Sequence, residues 1–484
     1  MFSKEIQLLA DLVLIYGSED KNIAKKLVKH LETRWSVWWD EYIKERFAEE
    51  INQEIQSASC VIVLWSKTSI KKDTVRDDVQ LAKDHKVCIV GVTLDDSKPA
   101  YGFGGYSSTS FSSWDGKADH QKYEALFSRL LSVLPSPQAP DRPINIANGR
   151  LQLPTLFLSV SSFETQLVPD QAVKALTIAK APAILVSAWD LVERREPASL
   201  ISELRAFRET GGFVLLDSGN YESSRLMMHE WEPEDLAQAL RHDLHDWVFC
   251  FDKLAHFNFD KDTTPEGISD KIVNMAKRDQ GFTNAPILPV VHAPPSPNSG
   301  YQFELIPEIT RVVAEALQPQ LIGIPERELG AGIVQRVKTM RAIRKELDTL
   351  SFYQPVHLLG TGNPWTVAIM AAAGADTFDG LEWCRTVVDH ENDRLNHFQH
   401  FDLFAWQAEL SSSIVVQEAL KEGSGVDYSG KVAFHNLEYF LDFEIKLREA
   451  ASKGRLESFV GARLGKAAVQ VLHEAAPELF DHDL

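Results

Sequence analysis

The sequence predicts an α/β protein with two parallel-sheet domains, the second of them a (β/α)8 barrel followed by a helical tail. Three observations support this prediction. The chain has 484 residues, which is too long for one ordinary hydrophobic core. Short apolar runs alternate with helix-length segments along most of it. A proline-rich stretch separates four strand predictions from eight further ones.

Four apolar runs predict the strands of the first domain. They occupy residues 11–16, 35–39, 60–65 and 86–94, with amphipathic helices predicted after the first and second. The third run contains no polar residue, as expected of a strand that is covered on both faces. A last helix over residues 115–134 completes a parallel sheet between two layers of helices.

Four prolines within ten residues mark the boundary between the domains. Residues 134–143 read LPSPQAPDRP, and proline can neither join a central strand nor extend a helix. We therefore predict a first domain over residues 1–135, a linker over 136–148, a barrel over 149–410 and a helical C-terminal extension over 411–484.

Eight further apolar runs predict the barrel strands. About eight strand–helix units in about 250 residues is the usual size of a TIM barrel. Residues 436–479 are rich in helix formers and predict the helical tail. The eight predicted strands are residues 155–160, 183–187, 213–216, 247–251, 287–292, 321–324, 356–359 and 376–381.

Composition and charge exclude several protein classes. The net charge is −19, divided as about −2 over residues 1–135 and about −17 over the remainder. A surface that follows nucleic-acid phosphates needs the opposite sign, so extended nucleic-acid binding is not expected. No apolar run approaches the length of a membrane span, and the N-terminus does not resemble a signal peptide. We therefore expect a cytoplasmic protein.

The cysteines predict neither a disulfide framework nor a cysteine-rich metal site. They lie far apart in the sequence and form no CxxC pair. Three of them are in or beside apolar runs, where a buried thiol is the usual finding. The four are Cys60, Cys88, Cys250 and Cys384.

Ordered motifs in residues 1–135 resemble a TIR domain. They read LIYGSED at 14–20, VWWD at 37–40, SASCVIVLWS at 57–66 and SSWDG at 112–116. Their order and spacing carry the resemblance. It implies a flavodoxin-like parallel sheet, assembly into homo-oligomers and, as in many prokaryotic members, NAD+ as the substrate.

The resemblance also implies a catalytic carboxylate on the helix after the third strand. Residues 72–82 read KDTVRDDVQLA, and Asp78 stands where the family has a glutamate. Loss of nicotinamide leaves positive charge on the ribose, which a nearby carboxylate stabilises. Aspartate keeps the charge but is one methylene shorter, and a misplacement of about 1 Å can cost on the order of 100-fold in rate. Alternatively, Asp78 only adds to an acidic, solvent-facing surface.

The same resemblance predicts a set of residues that contact the nucleotide. Aromatic side chains in this set suit a nucleotide pocket and suit core packing equally well. The set is Tyr16, Gly17, Ser18, Trp38, Trp39 and Asp40.

Motifs at the predicted strand ends of the second domain resemble the tRNA-guanine transglycosylases. Residues 213–221 read FVLLDSGNY, residues 356–364 read VHLLGTGNP and residues 374–380 read GADTFDG. FCFD at 249–252 and HNLEYF at 435–440 follow the same order. The resemblance implies a TIM-barrel-like fold and the exchange of a base on a ribose through a covalent intermediate.

In this resemblance Asp379 is the nucleophile, Asp217 is the acid/base group and Asp252 holds the base edge. Barrel enzymes carry their chemistry at the carboxyl ends of the strands. Two carboxyl groups beside a glycosidic bond are what nucleophilic sugar chemistry requires. The alternative role for these aspartates is capping and turn formation. Further candidates for the base pocket are His292, Gly360, Glu382 and Arg385.

The second domain departs from the transglycosylase pattern in ways that predict a remodelled pocket. His435 matches the family's zinc-binding histidine, but the segment before it has no cysteine, so we expect no metal. His292 replaces a glutamine that contacts the base, and residues 323–325 replace a Gly-Gly-Leu loop. The expected ligand is a nucleobase or nucleoside-like molecule. His357 is expected to be a core histidine.

Two functional hypotheses follow. In the first, the barrel senses a nucleobase, a nucleoside or a nucleic-acid end, and the TIR domain then hydrolyses NAD+, as in bacterial antiphage proteins that deplete it. In the second, the barrel is an active base-exchange enzyme or glycosidase, and the TIR domain is an oligomerisation module. Both domains could also be inactive scaffolds. The shorter side chain of Asp78 favours the second hypothesis or the inactive scaffold. His292, the missing zinc ligands and the excess of acidic residues favour the first hypothesis. We adopt the first.

Overall fold

The computed structural model contains two compact units, Met1–Ala139 and Pro140–Leu484. The division lies within the proline-rich stretch. The structure describes residues 10–32, 35–39, 48–95, 97–106, 108–117, 120–134, 140–192, 195–226, 231–252, 264–296 and 300–480.

The N-terminal unit is a parallel sheet between two layers of helices. Its elements are β1 (Leu12–Ile15), α1 (Lys21–Leu31), β2 (Val37–Trp38), α2 (Ala48–Ser57), β3 (Cys60–Trp65), α3 (Asp73–Asp84), β4 (Cys88–Thr93), β5 (Ser108–Ser110) and α4 (Gln121–Val133). The strand order is β2-β1-β3-β4-β5, and every pairing is parallel. The predicted flavodoxin-like fold is therefore confirmed.

Alternating residues of the central strands build two separate cores. Leu12 and Leu14 pack with α1 and α4, whereas Val13 and Ile15 pack with α2 and α3. All of β3 is buried because helices cover both of its faces. The edge strand β5 was not predicted, since its sequence, Ser-Thr-Ser, has no apolar run.

The C-terminal unit is built on eight parallel strands. Its elements up to the last barrel strand are β6 (Asn145–Ile146), β7 (Leu151–Gln152), β8 (Thr155–Val160), α5 (Pro169–Ile178), β9 (Ala183–Ser187), α6 (Ala198–Glu209), β10 (Phe213–Asp217), α7 (Asn220–Arg225), α8 (Pro233–Leu240), β11 (Trp247–Phe249), α9 (Pro265–Asp279), β12 (Ile287–Leu288), α10 (Ile306–Leu317), β13 (Ile322–Pro325), α11 (Ile333–Leu347), β14 (Val356–Leu359), α12 (Pro364–Ala373) and β15 (Thr377–Gly380). The short β6–β7 hairpin precedes the barrel and is antiparallel.

The eight strands close into a barrel. Their order is β12-β11-β10-β9-β8-β15-β14-β13, and a parallel bridge between Val290 and Gly323 joins the two ends. Val291 N donates to Gly323 O at 2.8 Å, and Gly323 N donates to Pro289 O at 2.9 Å. The predicted barrel architecture is confirmed. The predicted strand at 287–292 is shorter, because Pro289 has no amide hydrogen for the ladder.

Rings fill the interior of the barrel below its carboxyl end. The centroids of Phe157 and Phe249 lie 5.8 and 5.1 Å from that of His357. Gly323 leaves the space that the Phe249 ring occupies, because a Cβ at this position would lie 2.7 Å from the ring. The interior is thus a packed core, which supports the side chains above it.

Helices and a hairpin follow the barrel. They are α13 (Glu382–Arg385), β16 (Thr386–Asp389), β17 (Arg394–His397), α14 (Ala405–Glu409), α15 (Ile414–Leu420), α16 (Tyr428–Ser452), α17 (Leu456–Leu464) and α18 (Lys466–Ala475). The predicted helical tail is confirmed, and α16 is its longest helix. The antiparallel β16–β17 hairpin was not predicted.

Two stacked histidines join this hairpin to α16. The rings of His390 and His435 lie 4.0 Å apart at 16°, and His435 Nε2 donates to Val388 O at 2.8 Å. Burial and the neighbouring His435 lower the pKa of His390 to about 4. Burial also lowers the pKa of His435. Both rings are therefore neutral in the folded protein at neutral pH.

Several classes of site are absent from the described part of the chain. No described helix combines the length and the apolar character needed to cross a bilayer. Within the same residues, no cluster of three or more His, Cys, Asp or Glu side chains is placed to hold a metal ion. The four cysteines are free thiols.

We expect Gly323→Ala to destabilise the barrel by about 1–3 kcal/mol, the usual cost of overpacking a core, because the new methyl group overlaps Phe249. Chemical denaturation of the purified protein measures this loss. Gly281→Ala is the matched control, since a Cβ there meets no atom within 4 Å. Equal stability of the two variants would contradict the packed interior, whereas adding Phe249→Leu to Gly323→Ala should restore part of the loss.

We expect the stacked rings of His390 and His435 to contribute a loss of stability to the barrel unit as the pH falls from about 6.5 towards 4, whereas the raised pKa values of His292 and Asp217 contribute with the opposite sign. The unfolded chain takes up protons in this window that the stacked rings of His390 and His435 do not, so the sign is a loss on acidification. Each histidine contributes a slope of up to about 1.4 kcal/mol per pH unit. Urea titrations at several pH values would show a shallower slope in His390→Phe, but not when the exposed His400 is replaced by Gln. An unchanged slope in His390→Phe would contradict the assignment.

Candidate functional site

The carboxyl ends of the barrel strands surround a cavity of about 630 Å³. This volume is in the usual range for small-molecule sites. The predicted barrel residues converge on it from five different strand ends and the segments after them. Those that line the cavity are Asp217, Asp252, His292, Gly360, Asp379, Glu382 and Arg385.

Asp379, at the end of β15, is held by donors from two neighbouring strands. Ser159 Oγ donates to its Oδ2 at 2.9 Å, and Gly360 N donates to its Oδ1 at 2.7 Å. His357 Nε2 lies 3.2 Å from the same Oδ1, while His357 Nδ1 contacts Thr377 Oγ1 at 2.8 Å. Gly360 thus reaches Asp379 through its backbone. His357 is fully buried, as a core histidine should be, and also orients the carboxylate.

Asp217, at the end of β10, lies among negatively charged groups, whereas Asp379 is held by hydrogen-bond donors. Burial raises the pKa of Asp217 well above its usual value, and the charges of Asp252, Glu222 and Asp379 raise it further. Gly219 N donates to Asp217 Oδ2 at 3.3 Å, and this hydrogen bond lowers the pKa of Asp217 only weakly. The raised pKa favours the protonated form of Asp217, which is suited to donate its proton to a leaving group.

A chain of buried charges links Asp252, His292 and Glu328. His292 Nε2 donates to Asp252 Oδ2 at 3.0 Å, and His292 Nδ1 donates to Glu328 Oε1 at 3.0 Å. Burial by itself would lower the pKa of His292, but the two carboxylates outweigh it and raise that pKa to about 10. His292 is therefore an imidazolium with both N–H groups directed at carboxylates.

Asp252 receives donors on both of its oxygens. Ser218 Oγ and Asn220 Nδ2 donate to Oδ1 at 2.7 and 2.6 Å, and His292 Nε2 donates to Oδ2. Burial opposes ionisation, but His292 and then Ser218 and Asn220 hold the pKa of Asp252 below its usual value. The cavity thus places an ionised Asp252 beside a neutral Asp217.

Two buried glutamates near the cavity were missed by the sequence analysis. Glu222 accepts from Ser161 Oγ at 2.6 Å and from Ser187 Oγ at 2.7 Å, and burial raises its pKa. Glu328 is fully buried and holds His292. Both follow a barrel strand within a few residues, and this position is the signal that could have identified them.

Side chains from three segments connect at the rim of the cavity. Arg385 Nη2 donates to Glu382 Oε1 at 2.5 Å, and Arg385 Nη1 lies 3.8 Å from Glu164 Oε2. Tyr221 OH also donates to Glu164 Oε2, at 2.8 Å. Burial raises the pKa of Glu382, and its buried Oε2 has no hydrogen-bond partner among the described residues.

In the N-terminal unit, the predicted nucleotide contacts are divided between the two faces of the sheet. Tyr16 and Trp39 lie on the face covered by α1 and α4, with ring centroids 6.0 Å apart. Trp38 packs on the face covered by α2 and α3. Consecutive residues of a strand point in opposite directions, so the structure does not bring Trp38 and Trp39 together. Asp40 lies outside the described residues.

Asp78 is half-buried on α3, the helix that covers the same face as Trp38. Lys72, at the start of this helix, donates to Ser18 Oγ at 2.5 Å. Gly17 packs closely on Ser69, because a Cβ on Gly17 would lie 3.2 Å from the Ser69 Cβ. These contacts join the loop after β1 to the start of α3. Gly17 and Ser18 lie in that loop, and Asp78 lies on that helix.

A hydrogen bond that the sequence analysis did not assign joins the segments that follow β1 and β3. Ser66 Oγ donates to Asp20 Oδ2 at 2.7 Å. Burial raises the pKa of Asp20. The pair lies at the carboxyl edge of the sheet, where parallel α/β domains bind their ligands.

Comparison with known proteins identifies the N-terminal unit. A family model described as a TIR domain matches residues 13–131. The matched span begins in β1, ends in α4 and contains Tyr16, Trp39 and Asp78. No curated protein matches the chain. The parallel sheet and the family match agree, and residues 13–131 are therefore a TIR domain.

Proposed function

We propose that the barrel cavity binds a nucleoside-like ligand and breaks its N-glycosidic bond, passing the ribosyl group to another base or to water. The observation that carries the proposal is the pairing of Asp217, which keeps its proton, with Asp379, whose carboxylate Ser159 and Gly360 hold in place. Carboxyl groups with opposing environments in one cavity are typical of enzymes that act on glycosidic bonds.

The chemistry divides between these two groups. A carboxylate oxygen of Asp379 attacks the anomeric carbon while Asp217 gives its proton to the departing base nitrogen, which yields a ribosyl ester and a neutral base. The ionised Asp217 then takes a proton from an incoming base or water, whose nitrogen or oxygen displaces the ester. Both aspartates return to their starting states.

Sequence motifs support a transglycosylase-like identity for the barrel. The segments at 213–221 and 374–380, which resemble that family, supply Asp217 and Asp379 to one cavity. We favour a free nucleoside or a nucleotide end over a long nucleic acid, because the chain beyond residue 135 carries a net charge of about −17.

We expect Asp217→Asn to lower base release about 100-fold to 10,000-fold, the usual contribution of a general acid. Asp379→Asn should abolish the covalent ester. Chromatography of free base from a panel of nucleosides, and intact mass of the quenched protein, measure the two effects. The matched control is Asp442→Asn, an exposed carboxylate of α16. Base release at the wild-type rate in Asp379→Asn would contradict nucleophilic catalysis.

A second candidate function, the one that the sequence alone favours, is NAD+ hydrolysis by the TIR domain. The family match at residues 13–131 favours it, as does the half-buried carboxylate of Asp78 on α3. A carboxylate beside the ribose would stabilise the charge that develops as nicotinamide leaves. In this proposal the TIR domain is an oligomeric effector, the occupied barrel is its sensor, and the protein acts in bacterial defence against phage.

We expect Asp78→Ala to abolish NAD+ loss and Asp77→Ala, which alters an exposed neighbour on the same helix, to leave it intact. NAD+ consumption by purified protein is measured with and without extract of phage-infected cells. Loss that depends on the extract supports gating, and we expect Asp217→Ala to weaken that dependence. Turnover at the wild-type rate in Asp78→Ala would remove Asp78 from the site.

A further inference from the structure

The acceptor positions of Asp252 are almost all occupied within the protein. A carboxylate offers about four such positions, two on each oxygen. Oδ1 receives Ser218 Oγ at 2.7 Å and Asn220 Nδ2 at 2.6 Å. Oδ2 receives His292 Nε2 at 3.0 Å. One position on Oδ2 therefore remains for a ligand in the cavity.

Glu328 fixes the donor that occupies Oδ2. It accepts from His292 Nδ1 at 3.0 Å and from Ala293 N at 2.8 Å, and it is fully buried. If the His292 ring turned away from Asp252, Glu328 would be left as a buried charge without its partner, which is costly. The ring is therefore locked in the orientation that occupies Asp252.

Asn220 adds no acceptor beside this remaining position. Its Oδ1 is enclosed by protein atoms, and its Nδ2 donates to Ser218 Oγ at 3.1 Å and to Asp252 Oδ1 at 2.6 Å. Asp252 therefore offers a single acceptor position to a base in the cavity.

We propose that His292 and Glu328 are specificity-determining residues that restrict the cavity to a base edge with one N–H and no adjacent amino group. The N–H donates to Asp252 Oδ2, as hypoxanthine and uracil permit, and the Asp217 proton remains available for the departing base. Guanine carries an additional amino group, which would be buried without an acceptor. The inference rests on the proposed function, in which the barrel binds a nucleoside-like ligand.

Inosine and guanosine test the proposal, because they differ only in this amino group. Calorimetric titration of the full-length protein should give at least about ten-fold tighter binding of inosine, the scale of one buried unpaired donor. Equal or tighter binding of guanosine would overturn the specificity and leave the proposed function standing. Failure of uridine and both purine nucleosides to bind would overturn the proposed function together with the inference.

A double variant assigns the preference to the proposed residues. His292→Leu combined with Glu328→Gln empties one position on Asp252 and leaves an acceptor for Ala293 N, so the inosine preference should fall to within a few-fold. His245→Leu is the matched control, since His245 is a buried histidine that contacts Thr283 at the other end of β11. A full inosine preference in the double variant would remove His292 and Glu328 from recognition.

The protonation of His292 provides a test that does not depend on folding of the variants or on any ligand. Nitrogen-15 spectra of wild-type protein at pH 8 should show both ring nitrogens of His292 protonated, with Asp252 and Glu328 as the carboxylates that face them. A neutral His292 ring at pH 7 would overturn the charge chain and with it the proposal.

Discussion

Buried negative charge at the carboxyl end of the barrel is the constraint on which the rest of this site depends. Parallel strands deliver Asp217, Asp252 and Asp379 to one small volume, where several ionised carboxylates cannot coexist without compensation. The structure resolves the conflict unequally. Asp379 receives hydrogen-bond donors, Asp252 receives an imidazolium, and the raised pKa of Asp217 favours its protonated form.

Because of this unequal distribution of charge, His292 has a structural role as well as a chemical one. Without its positive charge, Asp252 and Glu328 would repel each other across a buried space. With it, two carboxylates and one cation form a chain that is satisfied internally. The same chain keeps a negative charge beside Asp217 and so helps to retain the proton there.

The sequence was sufficient for the architecture and for part of the site. The run at 60–65 has no polar residue, so its place in the middle of a covered sheet could be predicted, and Asp217 and Asp379 could be placed because they end apolar runs. Glu328 could not be placed, because its role depends on a contact with a residue 36 positions earlier. The split of Trp38 from Trp39 was predictable from strand alternation alone.

The packed interior of the barrel also determines how ligands enter and leave the site. Since the rings of Phe157, Phe249 and His357 fill the space below Asp379, molecules cannot pass along the axis of the barrel there. A departing base and an incoming base would therefore both pass through the carboxyl end of the barrel, one after the other. Base exchange in this cavity would therefore follow a double-displacement order, with release of the first product before the second substrate binds.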